Sequence, residues 1–322
     1  MPHSPTIALF VLALTISAAP PTRPGREPGR PLVLVVHGRG QLARDTATVR
    51  REALTALRSG ARSIMGDSLL QEGDVRLVWY ADVLDPRTRR TGTQSASCDF
   101  RDAVAQRSGD APVSVLSLLA MLAGAVLDAD TSEATLTDEN GLRSLAGDLR
   151  YLSDPDTRCA AERRLASALA QARDERRPVV VVAHSLGALV TWGYLKNGAL
   201  NTLPDIRRLV TLGSPLGSAE VRQLVFGDEG SALSLPHGVR EWVNVVNPDD
   251  PFAARITTAG RMTHVEEVVT ALAEQDPHRL RGYLRDSVTA RVVVGAWCEA
   301  FEGSRGAAQP SCAAILRVHT SP

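Results

Sequence analysis

Four consecutive valines, Val179 to Val182, run straight into Ala183-His184-Ser185-Leu186-Gly187, and a helical stretch from Ala188 to Leu195 follows. A short unbroken β-branched run is the pattern of a strand buried on both faces, as in a parallel sheet. Parallel strands need crossover helices, so this feature points to an α/β chain. The passage from strand to helix takes only a few residues and demands a sharp bend. Small residues stand two before and two after Ser185, at Ala183 and Gly187, where the strand and helix backbones must nearly touch. Such a bend presents the Ser185 hydroxyl at the carboxyl edge of the sheet, the arrangement of a nucleophile elbow. The helix N-terminus just beyond it favours negative charge.

The rest of the chain keeps the same rhythm. Pro31 to Val36, Asp74 to Tyr80, Arg208 to Leu212 and Glu241 to Val246 read as further strands. Ala43 to Leu57 and His278 to Arg285 read as helices. Strands alternating with helices predict a mostly parallel, doubly wound sheet flanked by helices, with no internal repeat. Residues 85–139 break the pattern. They open polar and turn apolar from Pro112 to Leu127. A helix that apolar must be covered. It is either an ordinary buried crossover or a cap whose apolar face meets a greasy substrate.

Three further segments complete a chemistry around Ser185. Val35-Val36-His37-Gly38-Arg39-Gly40 ends the first core strand. Acyl transfer needs two fixed backbone N–H donors for its oxyanion. Leu186, next after the nucleophile, would supply one and Arg39 the other, with the glycines allowing close approach. His37 would then hold the loop by hydrogen bonds. An acid is expected at the end of a later strand. Asn247-Pro248-Asp249-Asp250-Pro251-Phe252 fits, with Asp250 preferred and Asp249 its rival. The acid would fix the imidazole tautomer and stabilise the imidazolium. The base should follow. His278, in Asp276-Pro277-His278-Arg279, sits where a loop ends and a helix begins, and His264 and His319 are the alternatives. Thr211-Leu212-Gly213-Ser214-Pro215-Leu216-Gly217 reaches the same sheet edge, as a plain turn or as pocket lining.

Composition narrows the classes. Lys plus Arg and Asp plus Glu are 36 each, which argues against a nucleic-acid binder built on a basic face. Ile7 to Ile16 is nearly all apolar and is followed by Ser17-Ala18-Ala19, as in a signal peptide over residues 1–19. A Pro-rich linker, residues 20–30, separates it from a body spanning 31–300 and a tail at 301–322. These ends predict export, secreted or periplasmic, with a membrane anchor as the alternative if the segment is not cleaved. None of the four cysteines, Cys98, Cys159, Cys298 and Cys312, has metal-ligand spacing. In an exported chain an even count favours disulfides: Cys298 with Cys312 locally, and Cys98 with Cys159 tying the insertion to the body. Four free buried thiols are the other reading.

In this order, V-V-H-G-R-G, V-V-A-H-S-L-G, T-L-G-S-P-L-G, N-P-D-D-P-F and D-P-H-R-L-R-G-Y-L resemble the α/β-hydrolase superfamily, and within it the lipase- and esterase-like members. The resemblance covers about Pro31 to Asp286. It implies an eight-stranded, mostly parallel sheet and a triad of Ser185, Asp250 and His278. It also implies an oxyanion hole at Arg39 and Leu186, no cofactor and no metal. The implied chemistry is hydrolysis of a small-molecule or lipid ester through an acyl-enzyme. The insertion would be the part that touches a lipid surface in passing. Ala183 in place of the usual glycine, the Cys-bearing insertion and the tail past Val292 depart from the pattern. An acyltransferase, thioesterase or peptidase would use the same triad, and a hydrolase-like binding protein would keep the fold without the chemistry.

Overall fold

A computed structural model describes residues 29–66, 69–85, 87, 139–197, 203–226, 233–256, 265–272, 276–305, 312–313 and 315. The expected signal segment, nearly all of the linker, the apolar run 112–127, Cys98, His264 and His319 lie outside the described residues.

The strands are β1 (Leu32–Val36), β2 (Val75–Val78), β3 (Val179–His184), β4 (Ile206–Leu212), β5 (Val239–Val246) and β6 (Val265–Val269). They form one sheet in the order β2-β1-β3-β4-β5-β6, with every neighbouring pair parallel. Six strands are present among the described residues, against the eight that the family resemblance implies. The helices are α1 (Thr46–Met65), α2 (Ala81–Leu84), α3 (Glu139–Ser153), α4 (Pro155–Asp174), α5 (Leu186–Asn197), α6 (Ala219–Phe226), α7 (Leu280–Arg285) and α8 (Ser287–Arg305).

Side-chain alternation assigns each strand residue to a face. Leu32, Leu34, Val36, Val179, Val181 and Ala183 pack with residues of α4 and α5. Val33, Val35, Val180, Val182, Val210 and Val243 pack with α1 and α8. Val179 to Val182 are fully buried, as expected of a strand with helices on both sides. Each such valine contributes about 1.5–3 kcal/mol relative to an exposed one.

Local signals place the first helix. The Asp45 carboxylate accepts from Thr48 N–H at 2.8 Å and starts α1. Gly66, at φ 74°, ends it in the left-handed region. The helix therefore begins three residues later and ends eight residues later than composition predicts (46 against 43, 65 against 57). A methyl on Gly60 would lie 2.7 Å from Ala290 Cβ and 2.9 Å from Arg285 O, so α1 crosses α7 and α8 at very short range.

Six elements escape the sequence reading: the helices α2, α3, α4, α6 and α8, and the strand β6. β6, V-E-E-V-V, is an edge strand with two central glutamates and no alternating apolar pattern. The stretch past Val292 is the body of α8, whose Val293, Val294, Trp297 and Cys298 are fully buried. That helix runs through the expected boundary at 300/301, and Cys298–Cys312 is a disulfide. Cys159 is also disulfide-bonded. The linker's last two residues belong to the body: Gly29 N–H donates to Arg176 O, and Arg30 pairs with Asp74 at 2.7 Å. Among the described residues no helix is long and apolar enough to cross a membrane.

The strand order sets where a site can form. The chain leaves β1 toward β2, then returns past β1 to β3 and continues outward. The loops after β1 and β3 therefore diverge at the carboxyl edge of the sheet, where open α/β sheets have their crevice.

Candidate active site

Ser185 lies between β3 and α5 at that crevice. Its φ is +53°, in the left-handed region that a residue with a Cβ enters only at a cost of order 1–3 kcal/mol. The neighbouring strand holds the bend, since Ser185 N–H donates to Leu212 O at 3.0 Å. A methyl on Gly187 would lie 2.5 Å from both the Val36 and His37 carbonyl oxygens. A larger residue there would push α5 off β1, the physical reason for a small residue two after the serine.

The structure brings Ser185, His278 and Asp250 into one chain of hydrogen bonds. His278 Nε2 is 2.8 Å from Ser185 Oγ. His278 Nδ1 is 2.9 and 2.8 Å from the two Asp250 carboxylate oxygens. A carboxylate can only accept, so Nδ1 carries the proton and Nε2 offers its lone pair to the serine O–H. Asp250 is 3% exposed, whereas Asp249 is exposed to solvent, so the turn aims only one of the rival acids inward.

Asp250 is heavily hydrogen-bonded. Tyr283 O–H donates to Oδ2 at 2.7 Å and Phe252 N–H donates to Oδ1 at 2.9 Å. Burial pushes its pKa up, but His278, the Tyr283 hydroxyl and the Phe252 amide together outweigh that and hold it below the ordinary carboxylate value. Gly213 makes room. At φ +51°, a methyl there would lie 2.6 Å from Asp250 Oδ2 and 3.2 Å from His278 Nδ1. The Thr211–Gly217 segment is thus part of the wall behind the acid–base pair. Gly213 and Tyr283 lie within motifs quoted from the sequence, but their service to the acid depends on long-range packing.

The loop after β1 rests on the serine bend. A methyl on Gly38 would lie 2.8 Å from Ser185 Cβ and 2.6 Å from His184 Nδ1. The Gly38–Arg39 peptide is therefore beside the serine. Leu186 opens α5, so its N–H precedes the first intrahelical bonds. His37 is a loop clamp. Tyr80 N–H donates to its Nε2 at 3.3 Å, leaving Nδ1–H to donate to Gly38 O at 2.7 Å. The Tyr80 hydroxyl donates to His37 O, and the two rings stack at 4.2 Å. Burial drops the His37 pKa to about 4, so it stays neutral at ordinary pH.

Further side-chain contacts around the site have roles that the motifs do not assign. His184 Nε2–H donates to the His278 backbone carbonyl at 2.7 Å and steadies the base from below. Burial first, and the electrostatic influence of His278 second, lower the His184 pKa to about 3. The Phe252 ring sits 4.4 Å from the His278 ring, and the Arg39 guanidinium lies 5.6 Å above the same Phe252 ring. From α3, Asp148 approaches Arg39 Nε to 3.2 Å. Nothing near Asp148 in sequence marks it out.

Chemically, the relay can remove a proton from Ser185 as it attacks an electrophile. Among the described residues no group of three His, Cys, Asp or Glu could hold a metal ion. No family model, curated protein or solved structure matches this chain.

Proposed function

We propose that the chain is an α/β-hydrolase-fold serine hydrolase that cleaves carboxylic esters through an acyl-enzyme. The observation that carries this is the unbroken Asp250–His278–Ser185 hydrogen-bond chain on a strained bend at the crevice of a parallel sheet. A merely structural serine has no need of a left-handed backbone, nor of an imidazole nitrogen aimed at its hydroxyl.

In the proposed reaction Ser185 Oγ attacks the ester carbonyl while His278 Nε2 takes its proton. Negative charge moves to the carbonyl oxygen. The Leu186 and Arg39 N–H groups receive it, each such donor supplying roughly 10²–10³ in rate. The tetrahedral intermediate collapses, and His278 returns the proton to the leaving alkoxide. Water then repeats the sequence on the acyl-enzyme, with His278 as base, and frees Ser185. Asp250 holds the tautomer and balances the imidazolium throughout. The two disulfide-bonded sites at Cys159 and Cys298–Cys312 suit an exported enzyme.

The test is hydrolysis of p-nitrophenyl esters from acetate to palmitate by residues 20–322 made under oxidising conditions, beside Ser185→Ala. Turnover by the wild type and none by the variant is expected. Folded wild type that neither turns over an ester nor labels with a fluorophosphonate would overturn the proposal in favour of a binding protein. Labelling without turnover would move it to an acyltransferase, a thioesterase or a peptidase.

A further inference from the structure

Asp148 is an anomaly in the core. It is 3% exposed, yet among the described residues neither carboxylate oxygen has a hydrogen-bond donor. Arg39 is near enough to attract it as a charge, at 3.2 Å from Nε to Oδ2, but that N–H does not point at the oxygen. Arg39 Nη1 is likewise buried and has no acceptor among the described residues. Buried polar atoms are nearly always paired, and a carboxylate left bare is among the costlier exceptions. Burial pushes the Asp148 pKa up to about 6, against the pull of Arg39 and His278.

This bare pair is held in place. A methyl on Gly147 would lie 3.1 Å from Leu84 O, so α3 is seated closely on α2. Arg150 Nη1 donates to Asp85 O at 2.8 Å and fixes the same turn. Arg39 is fixed by the Gly38 contact with Ser185 Cβ and by the Phe252 ring beneath its guanidinium. The unused groups therefore stand beside the crevice, linked through Phe252 to the His278 ring.

We infer that Asp148 and Arg39 form a recognition site for a hydroxyl group carried by the substrate close to its scissile carbonyl. The assignment rests on the hydrolase proposal above. A hydroxyl both donates and accepts, which is what the pair lacks: its O–H would donate to an Asp148 oxygen while its oxygen accepts from Arg39 Nη1. A plain alkyl chain at the same place would leave both groups desolvated and bare. A site built this way discriminates by what it leaves unpaired. Asp148 and Arg39 would then set specificity, while the Arg39 backbone N–H keeps its separate role.

The hydroxyl could sit on the acyl or on the alcohol side, and two substrate pairs distinguish these. One is p-nitrophenyl 3-hydroxybutyrate against p-nitrophenyl butyrate. The other is 2-hydroxyethyl butyrate against ethyl butyrate. The readout is the ratio of kcat/KM within each pair, which a general loss of activity does not move. Wild type should favour the hydroxylated member of one pair by at least about tenfold. Asp148→Leu should erase that ratio, and Asp148→Asn, which keeps an acceptor oxygen and the side-chain shape, should retain part of it. A ratio near one for both pairs in the wild type would overturn the inference. So would a preference that survives unchanged in both variants. Absence of turnover for all four esters by folded wild type would instead sink the hydrolase proposal, and this inference with it.

Discussion

Asp250 and Asp148 are both 3% exposed and both near His278, yet their surroundings push them in opposite directions. Asp250 accepts from an imidazole, a phenol and a backbone amide, and its pKa lies below the ordinary value. Asp148 accepts from no donor among the described residues and its pKa rises to about 6. Depth of burial is therefore not what fixes a carboxylate's charge; the supply of donors is. One region of the sheet edge is finished polar architecture, and the other holds unspent hydrogen-bonding capacity.

The largest way to break the comparison is Asp250→Asn. It keeps the shape and removes the charge that orients His278. We expect kcat for an activated ester to fall by about 10⁴ with the fold retained. Steady-state kinetics beside far-UV circular dichroism checks both halves.

Asp148→Asn should act in the opposite sense on stability. The folded-state pKa of Asp148 is raised, so its cost grows as pH climbs from about 4 to about 6 and stays constant above. Removing the charge should stabilise the protein by roughly 1–3 kcal/mol at pH 8 and by little at pH 4. Asp250 has a lowered folded pKa, so its contribution is present above the unfolded value near 3.8 and is lost as pH falls through the folded value. Urea unfolding of Asp148→Asn and Asp250→Asn across pH should give difference curves of opposite sign. Parallel curves would mean that the two carboxylates are equivalent after all.

Gly213→Ala sharpens the Asp250 side. The added methyl meets Oδ2 at 2.6 Å on a backbone at φ +51°. A displacement of about 1 Å at the acid–base pair should lower kcat by roughly 10², and the same variant should leave Asp148-dependent substrate ratios unmoved. The smallest effect expected is that of Tyr283→Phe. It deletes one donor to Asp250 and the acceptor of Asn247 N–H, worth about 1–2 kcal/mol in thermal or urea unfolding.

Legibility from the sequence follows the range of the interactions. Ser185 is readable because its strand, bend and helix are contiguous, and every requirement falls within a few residues. Asp250 and His278 are readable as loop residues after later strands, in a known order relative to Ser185. The structure joins all three by hydrogen bonds. Asp148 is not readable, because its meaning comes from Arg39, far away in the chain, and from a seat made by Leu84 and Asp85. Tyr283 and Gly213 appear in quoted motifs, yet their purpose depends on where the Asp250 carboxylate lands. β6 is hidden by its paired glutamates, Glu266 and Glu267, at an edge where only one side needs to be apolar. The course of α8 is hidden because nothing local says that Trp297 will reach back to Pro31.

That last contact closes the body on itself. Trp297 Nε1–H donates to Pro31 O at 2.9 Å, and Arg30 lies 5.0 Å from the centre of the same indole. The point where the chain enters β1 is clasped by α8. A pull applied at Gly29 would load this clasp and the start of β1 first. The loops that carry Ser185 and His278 emerge from the opposite rim and would feel the strain last. The rim that carries Ser185 and His278 thus faces away from the point where the chain enters β1.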